Sequence, residues 1–331
     1  MWQAQEQKKP PSFLLAWGVH GYGPGQFVGP SGVAVDSSGN VYVADPDTNR
    51  VEKFTSNGTY ISQWGSSGFG PGQLDYPGGV AVDSSGNVYV TDRGNFRVEK
   101  FTSSGAFITQ WGSWGSLPGK FVGPSGVAVD SSGNVYVADY WNNRVMKFTS
   151  SGRYLTQWGS YGSGNGQFNS PSGVAVDSSG NVYVADRNTN RVEKFTSNGT
   201  YISQWGSKGS GAGQFNAPYG VAVDSASNVY VIDEVHVEKF TSSGTFITQW
   251  GSIGSGPGQY NGPGWVAVDS SGNVYVTDTW NNRVVKFGSI TTISVGQAVL
   301  IITIAAIVGS VGAYLTIRKR PKKLRRRVAS A

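Results

Sequence analysis

From residue 13 to residue 287 apolar side chains alternate with small or polar ones in short runs, and Gly, Ser, Asn and Asp punctuate them, the pattern of half-buried strands and tight turns. In one stretch, Gly79 to Asp83, Asn87 to Asp92, Arg97 to Phe101 and Ala106 to Trp111 read as four successive strands, here a, b, c and d. Between them, Asp83-Ser-Ser-Gly-Asn87 and Thr102-Ser-Ser-Gly105 have the composition of hairpin turns, in which glycine reaches positive φ without steric cost. Helical periodicity is absent before residue 290.

The four-strand pattern recurs. Its first aspartate falls at Asp36, Asp83, Asp130, Asp177, Asp224 and Asp269, in steps of 47, 47, 47, 47 and 45 residues, a period belonging to propeller blades or solenoids rather than independent domains. Four antiparallel strands make one blade, so the expected fold is all-β, a six-bladed propeller. A blade is stable only between neighbours, and an open ring leaves an unpaired edge. The last copy stops after strand c, Val284 to Phe287, while Ser12-Phe-Leu-Leu-Ala-Trp-Gly18 matches the strand d pattern of Tyr60-Ile-Ser-Gln-Trp-Gly65. Phe13 to Trp17 is therefore expected to complete blade six as its outer strand.

Val-Tyr-Val-Ala-Asp followed by Asn142-Asn-Arg-Val-Met-Lys-Phe148 or Asn281-Asn-Arg-Val-Val-Lys-Phe287 resembles the NHL repeat, over roughly Phe13 to Phe287. The resemblance implies a six-bladed NHL propeller and constrains function weakly, because similar propellers serve as extracellular sensors, as protein or RNA binding platforms and, in a few cases, as lyases.

Charge placement separates two regions. Through residue 288 the chain has 18 Lys or Arg against 20 Asp or Glu, and the remaining 8 basic residues all follow Ile317. The propeller thus lacks the net basic charge that electrostatic nucleic-acid binding uses, and nucleic acid is not expected as a partner. Val295 to Ile317 contains no charged residue and, as a helix, would span about 34 Å, enough for a bilayer core of about 30 Å. The expected organisation is an N-terminal extension (1–12), the propeller (13–288), a linker (289–294), a transmembrane helix (295–317) and a basic cytoplasmic tail (318–331), with residues 295–327 contacting lipid. Ala305, Gly309 and Ala313 form a small-residue stripe suited to a homodimer of such helices. This topology places the propeller outside the cell. Residues 1–12 contain no apolar signal core, so export requires a leader upstream of Met1; insertion of the C-terminal helix after synthesis would instead leave the propeller cytoplasmic. The exported arrangement is the expected one.

Cysteine is absent, which rules out disulfides and thiolate chemistry. Asn57 and Asn198 begin Asn-Gly-Thr sequons, glycosylation candidates if the domain is exported, although Asn-Gly is also a favoured hairpin turn.

Comparison of the six copies separates scaffold from variable positions. The a–b and c–d turns barely change, whereas the b–c patch and the long d–a connection do, and in an up-and-down blade both emerge on one face. That face is the expected binding site. Its candidate ligand-binding residues are Arg93, Tyr140, Trp141, Arg187, Tyr219, Glu234, His236, Trp265 and Trp280; the aromatic ones suit protein anchors or stacking on sugar rings. Trp265, which replaces Gly32, Gly79, Gly126, Gly173 and Gly220, is expected to narrow the channel mouth. By contrast, the strand d tryptophans (Trp17, Trp64, Trp111, Trp158, Trp205, Trp250) should pack between blades, Asp36 and its equivalents should cap turns, and Arg50, Arg97, Arg144, Arg191 and Arg283 should pair with aspartates such as Asp45 and Asp92, tying down the b–c loop.

Little enzymatic chemistry is visible. The resemblance implies that an NHL-type lyase needs several histidines around a metal, and this chain has only His20 and His236. Asp45-Pro-Asp47-Thr-Asn49 lacks the downstream Gly and Glu of a calcium loop. No catalytic residue, metal or cofactor is therefore expected. The expected function is a membrane-anchored cell-surface propeller binding a protein or glycan; the alternatives are a cytoplasmic-facing scaffold recruiting protein or RNA, and a metal-dependent lyase or hydrolase.

Overall fold

A computed structural model of the chain describes residues 9–289. The expected transmembrane segment 295–317, its small-residue stripe, the basic tail, nearly all of the expected linker and residues 1–8 of the N-terminal extension lie outside the described residues. Among the described residues no helix is long and apolar enough to cross a membrane.

Six four-stranded antiparallel sheets form the expected blades. In blade two the strands are Pro77–Val82, Val88–Asp92, Arg97–Phe101 and Phe107–Trp111. Strand a starts two residues earlier than the hydrophobic pattern indicates, because Pro77 pairs with Asp92 beyond a register shift that the alternation alone does not reveal. Closure occurs as expected: Ser12–Trp17 pairs antiparallel with strand c of blade six, Arg283–Gly288, with Trp17 opposite Val284.

Each of the six apolar clusters joins two adjacent blades, so the core lies in the seams. The recurring tryptophans sit there. The Trp64 ring, for example, lies 6.1 Å from Tyr42 of its own blade and 6.0 Å from Phe101 of the next. It also lies against Gly105 in the next blade's c–d turn (φ +89°), where a Cβ would come within 2.7 Å of the indole. The turn aspartates act as caps. Asp36 Oδ1 accepts from the Ser38 and Asn40 backbone N–H groups, and Oδ2 accepts from Asn40 Nδ2 and Tyr42 Oη. Burial works to raise the Asp36 pKa, but these four donors outweigh it and the carboxyl lies below its ordinary value.

Lysines cross the seams on the a–b and c–d face. Lys53, Lys100, Lys147, Lys194 and Lys286 each donate to a serine carbonyl in the next blade's c–d turn, at 3.0 to 3.3 Å. Blade six has no c–d turn, since its strands c and d come from opposite chain ends, and Lys239 of blade five turns back to Tyr230 Oη and Asp224 of its own blade.

Four of the five arginines pair with the expected blade-end aspartates, Arg97 with Asp92, Arg144 with Asp139, Arg191 with Asp186 and Arg283 with Asp278, but the loop they hold is a different one. Arg97 pairs with Asp92 at 2.8 Å and Glu99 at 2.7 Å, and donates to the carbonyls of Phe69, Gly70 and Gln73. It therefore pins the d–a connection rather than the b–c loop. Arg50 pairs with Glu52 instead of Asp45, whose oxygens accept the Val28 and Gly29 N–H groups. A buried Glu at this strand c position (Glu52, Glu99, Glu193, Glu238) accepts a glycine N–H from the same connection. The fork plus carboxylate fixes the long loops that carry the variable residues.

A candidate binding site at the channel mouth

Four b–c patches form short 3-10 turns ending in a left-handed asparagine: Asn49, Asn143, Asn190 and Asn282, with φ between +53° and +58°. Asparagine tolerates this conformation better than other side chains. Three of them also reach the neighbouring blade: Asn49, Asn143 and Asn190 Oδ1 accept the backbone N–H of Tyr76, Ser170 and Ala217. The variable loops are thus clamped both within a blade and between blades.

They enclose a cavity of about 620 Å³ lined by residues from five of the six blades. Arg93, Arg187, Tyr219, Glu234 and Trp280 are all in its wall, so the structure brings together five of the nine candidates. Tyr140 is not in the wall but accepts a hydrogen bond from Arg187 Nη1 at 3.3 Å. Trp141 is 64 % exposed and stands outside the cavity, its ring 4.7 Å from Tyr140. His236 also lies off the wall, its Nδ1 3.8 Å from Asp233 Oδ1.

Trp265 corrects the expectation. It is 4 % exposed and packed among Val33, Val43 and Ala267 between blades six and one, so it fills a seam instead of narrowing the mouth. The reason is visible at the equivalent glycines: a Cβ on Gly79 would lie 2.7 Å from Ser125 O, which shows that this position points at the next blade. Asn57 and Asn198 are exposed in c–d turns, at the strand ends remote from the cavity.

Two arginines in the wall are free of carboxylates. Arg93 lies 5.6 Å over the Tyr76 ring and Arg187 5.5 Å over the Tyr219 ring, and neither forms an ion pair among the described residues. Arg187 Nε is buried without a partner. Arg93 crosses Gly78, where a Cβ would come 2.7 Å from its Cδ. The acids of the wall are distributed differently. Asp233 is occupied by the N–H groups of Asn216, Val235 and His236, and Glu234 accepts from Asn216 Nδ2 at 2.5 Å. Asp47 accepts no hydrogen bond from any described residue, and it lies in the same wall.

Sequence reasoning missed Asp47, Tyr76 and Asn261 as wall residues. Tyr76 was accessible to the same internal comparison, since other blades carry Gly29, Gly123, Ser170, Ala217 or Gly262 there. Among the described residues no group of three His, Cys, Asp or Glu side chains is placed to hold a metal ion.

Five segments match the NHL repeat: residues 27–54, 74–101, 121–148, 168–195 and 260–287. The chain is therefore a six-bladed propeller carrying NHL repeats. The copy that escapes the match is blade five, which is two residues shorter and has His236 in place of the arginine. No curated protein matches the chain. Among solved structures, a protein of unknown function from Bacteroides thetaiotaomicron is 20% identical, covering 84% of this chain and 70% of its own, with a TM-score of 0.61. A gluconolactonase from Xanthomonas campestris is 14% identical over 84% of this chain and 96% of its own, TM-score 0.60. A streptogramin B lyase is 14% identical over 79% and 93%, TM-score 0.58. At these identities the likeness concerns the fold.

Proposed function

We propose that this protein is a membrane-tethered, cell-surface recognition module that takes a ligand, protein or glycan, at the channel mouth. The observation that carries the reading is the convergence of the variable loops on one cavity, whose volume falls in the range of about 300–1,000 Å³ common for ligand sites. The chain direction is consistent with a tether: strand c of blade six runs away from the b–c patch and ends at Gly288, so the chain leaves the propeller at the face opposite the cavity.

Two of the similar structures are named as enzymes, a lyase and a gluconolactonase, and the wall contains carboxylates, so turnover is the competing outcome. Protease added to intact cells tests the placement: digestion of the propeller before lysis supports it, and protection until lysis favours a cytoplasmic scaffold. Metal-dependent conversion of a lactone by the purified chain would replace recognition by catalysis.

A further inference from the structure

We infer that the channel mouth is built for an acidic saccharide, a sugar chain bearing carboxylates; this rests on the recognition reading above. Three features of the wall carry it. First, Arg187 and Arg93 present guanidinium groups in the wall without a protein counter-ion among the described residues. A ligand carboxylate supplies the missing acceptor in the bidentate geometry that guanidinium favours. The tyrosine faces under both guanidiniums and the Tyr140 hydroxyl hold them in place, so little side-chain entropy is lost on binding.

Second, Trp280 is 71 % exposed, yet its ring is supported from beneath by Gly262, where a Cβ would come 2.8 Å from the indole. A fixed indole with one free face is a platform for the C–H face of a pyranose ring. Third, the uncommitted Asp47 and the Asn261 side chain offer hydrogen-bond partners for hydroxyl groups in the same wall, and Thr279 Oγ1, which donates to Pro30 O, can still accept. A peptide carboxylate would use the first feature and leave the third largely unused, and a neutral sugar would leave the guanidiniums unpaired.

The test uses the full-length chain in detergent and isothermal titration with four probes: tetragalacturonate, tetrameric α2,8-linked sialic acid, neutral galactotetraose and a tetraglutamate peptide. The expected result is that at least one acidic oligosaccharide binds, about tenfold or more tighter than the neutral one. R187Q should then remove that preference, and W280A should weaken both sugar classes, with R153Q, in a c–d turn, as the unaffected control. Equal affinity for acidic and neutral sugars, or binding of the peptide alone, overturns the inference while leaving a ligand site at the mouth. Absence of any probe binding overturns the inference, whereas the recognition reading is overturned separately, by conversion of a lactone by the purified chain.

Discussion

The Tyr219 ring stands perpendicular to the Trp265 indole, with centroids 4.9 Å apart, and so connects the wall of the cavity to the seam between blades six and one. Replacing Trp265 by the glycine present in the other blades should leave a void in that seam. The expected cost is about 3–5 kcal/mol, the range for truncating a large buried aromatic residue. Denaturant unfolding of W265G measures it, and a loss below about 1 kcal/mol would show that the seam collapses around the missing ring.

Glu238 is the only one of the four buried strand c glutamates without an arginine two residues before it. Burial, reinforced by the negative charge of Asp233, pushes its pKa up to about 8. A carboxyl raised on folding contributes its stability fully below the unfolded pKa of about 4.3, and that contribution is lost as pH rises through about 8. E238Q keeps an acceptor for the Gly213 N–H and cannot ionise. Its melting temperature should exceed the parent's by about 2–4 °C at pH 9, with the gap closing toward pH 5. A gap independent of pH refutes the assignment.

Arg97 should be among the most costly residues to truncate. Asp92 and Glu99 are both fully buried, and R97L would leave them without their cation and the Phe69, Gly70 and Gln73 carbonyls without their donor. Loss of one partner from such a buried ion pair costs about 3–5 kcal/mol. Limited proteolysis offers a second readout: cleavage should shift to the Gly65–Gly72 connection, and an unchanged pattern would mean that the fork does not fix this loop.

Ring closure makes the first strand disproportionately important. Trp17 packs 5.9 Å from Phe54 and 6.2 Å from Tyr275, joining blade six to blade one. W17A is expected to destabilise the entire ring by about 3 kcal/mol or more, and removal of residues 1–17 to expose the edge of blade six and promote self-association. Light scattering of the truncated chain tests the latter; a monodisperse, cooperatively unfolding product contradicts it.

The strands, their number and the closing partner were legible because period-two alternation and a 47-residue spacing survive in almost every copy. The structural role of the strand d tryptophans was legible for the same reason. What the pattern could not supply was the direction of a side chain at a position without a neighbouring reference. Trp265 looked like an addition to the rim because glycine occupies that place elsewhere, and only the close approach of adjacent backbones shows that the place faces a seam. Likewise Arg50 and its equivalents were correctly marked as structural, but their carbonyl partners lie 24 to 28 residues earlier, a separation that local spacing does not encode. The mouth was half legible. Variation between copies identified its loops, and three-dimensional convergence selected which of their residues share a wall.

The lysines on the opposite face divide the toroid unequally. Five of its six joints are stitched by an ammonium reaching into the following turn, whereas the joint after blade five has no turn to receive one, and Lys239 folds inward. Blade five has also lost its arginine fork. The irregular blade thus differs from its neighbours on both sides, lacking the fork on the connection that enters it and the crossing on the seam that follows it, and it is also the blade that gives Glu234 to the mouth.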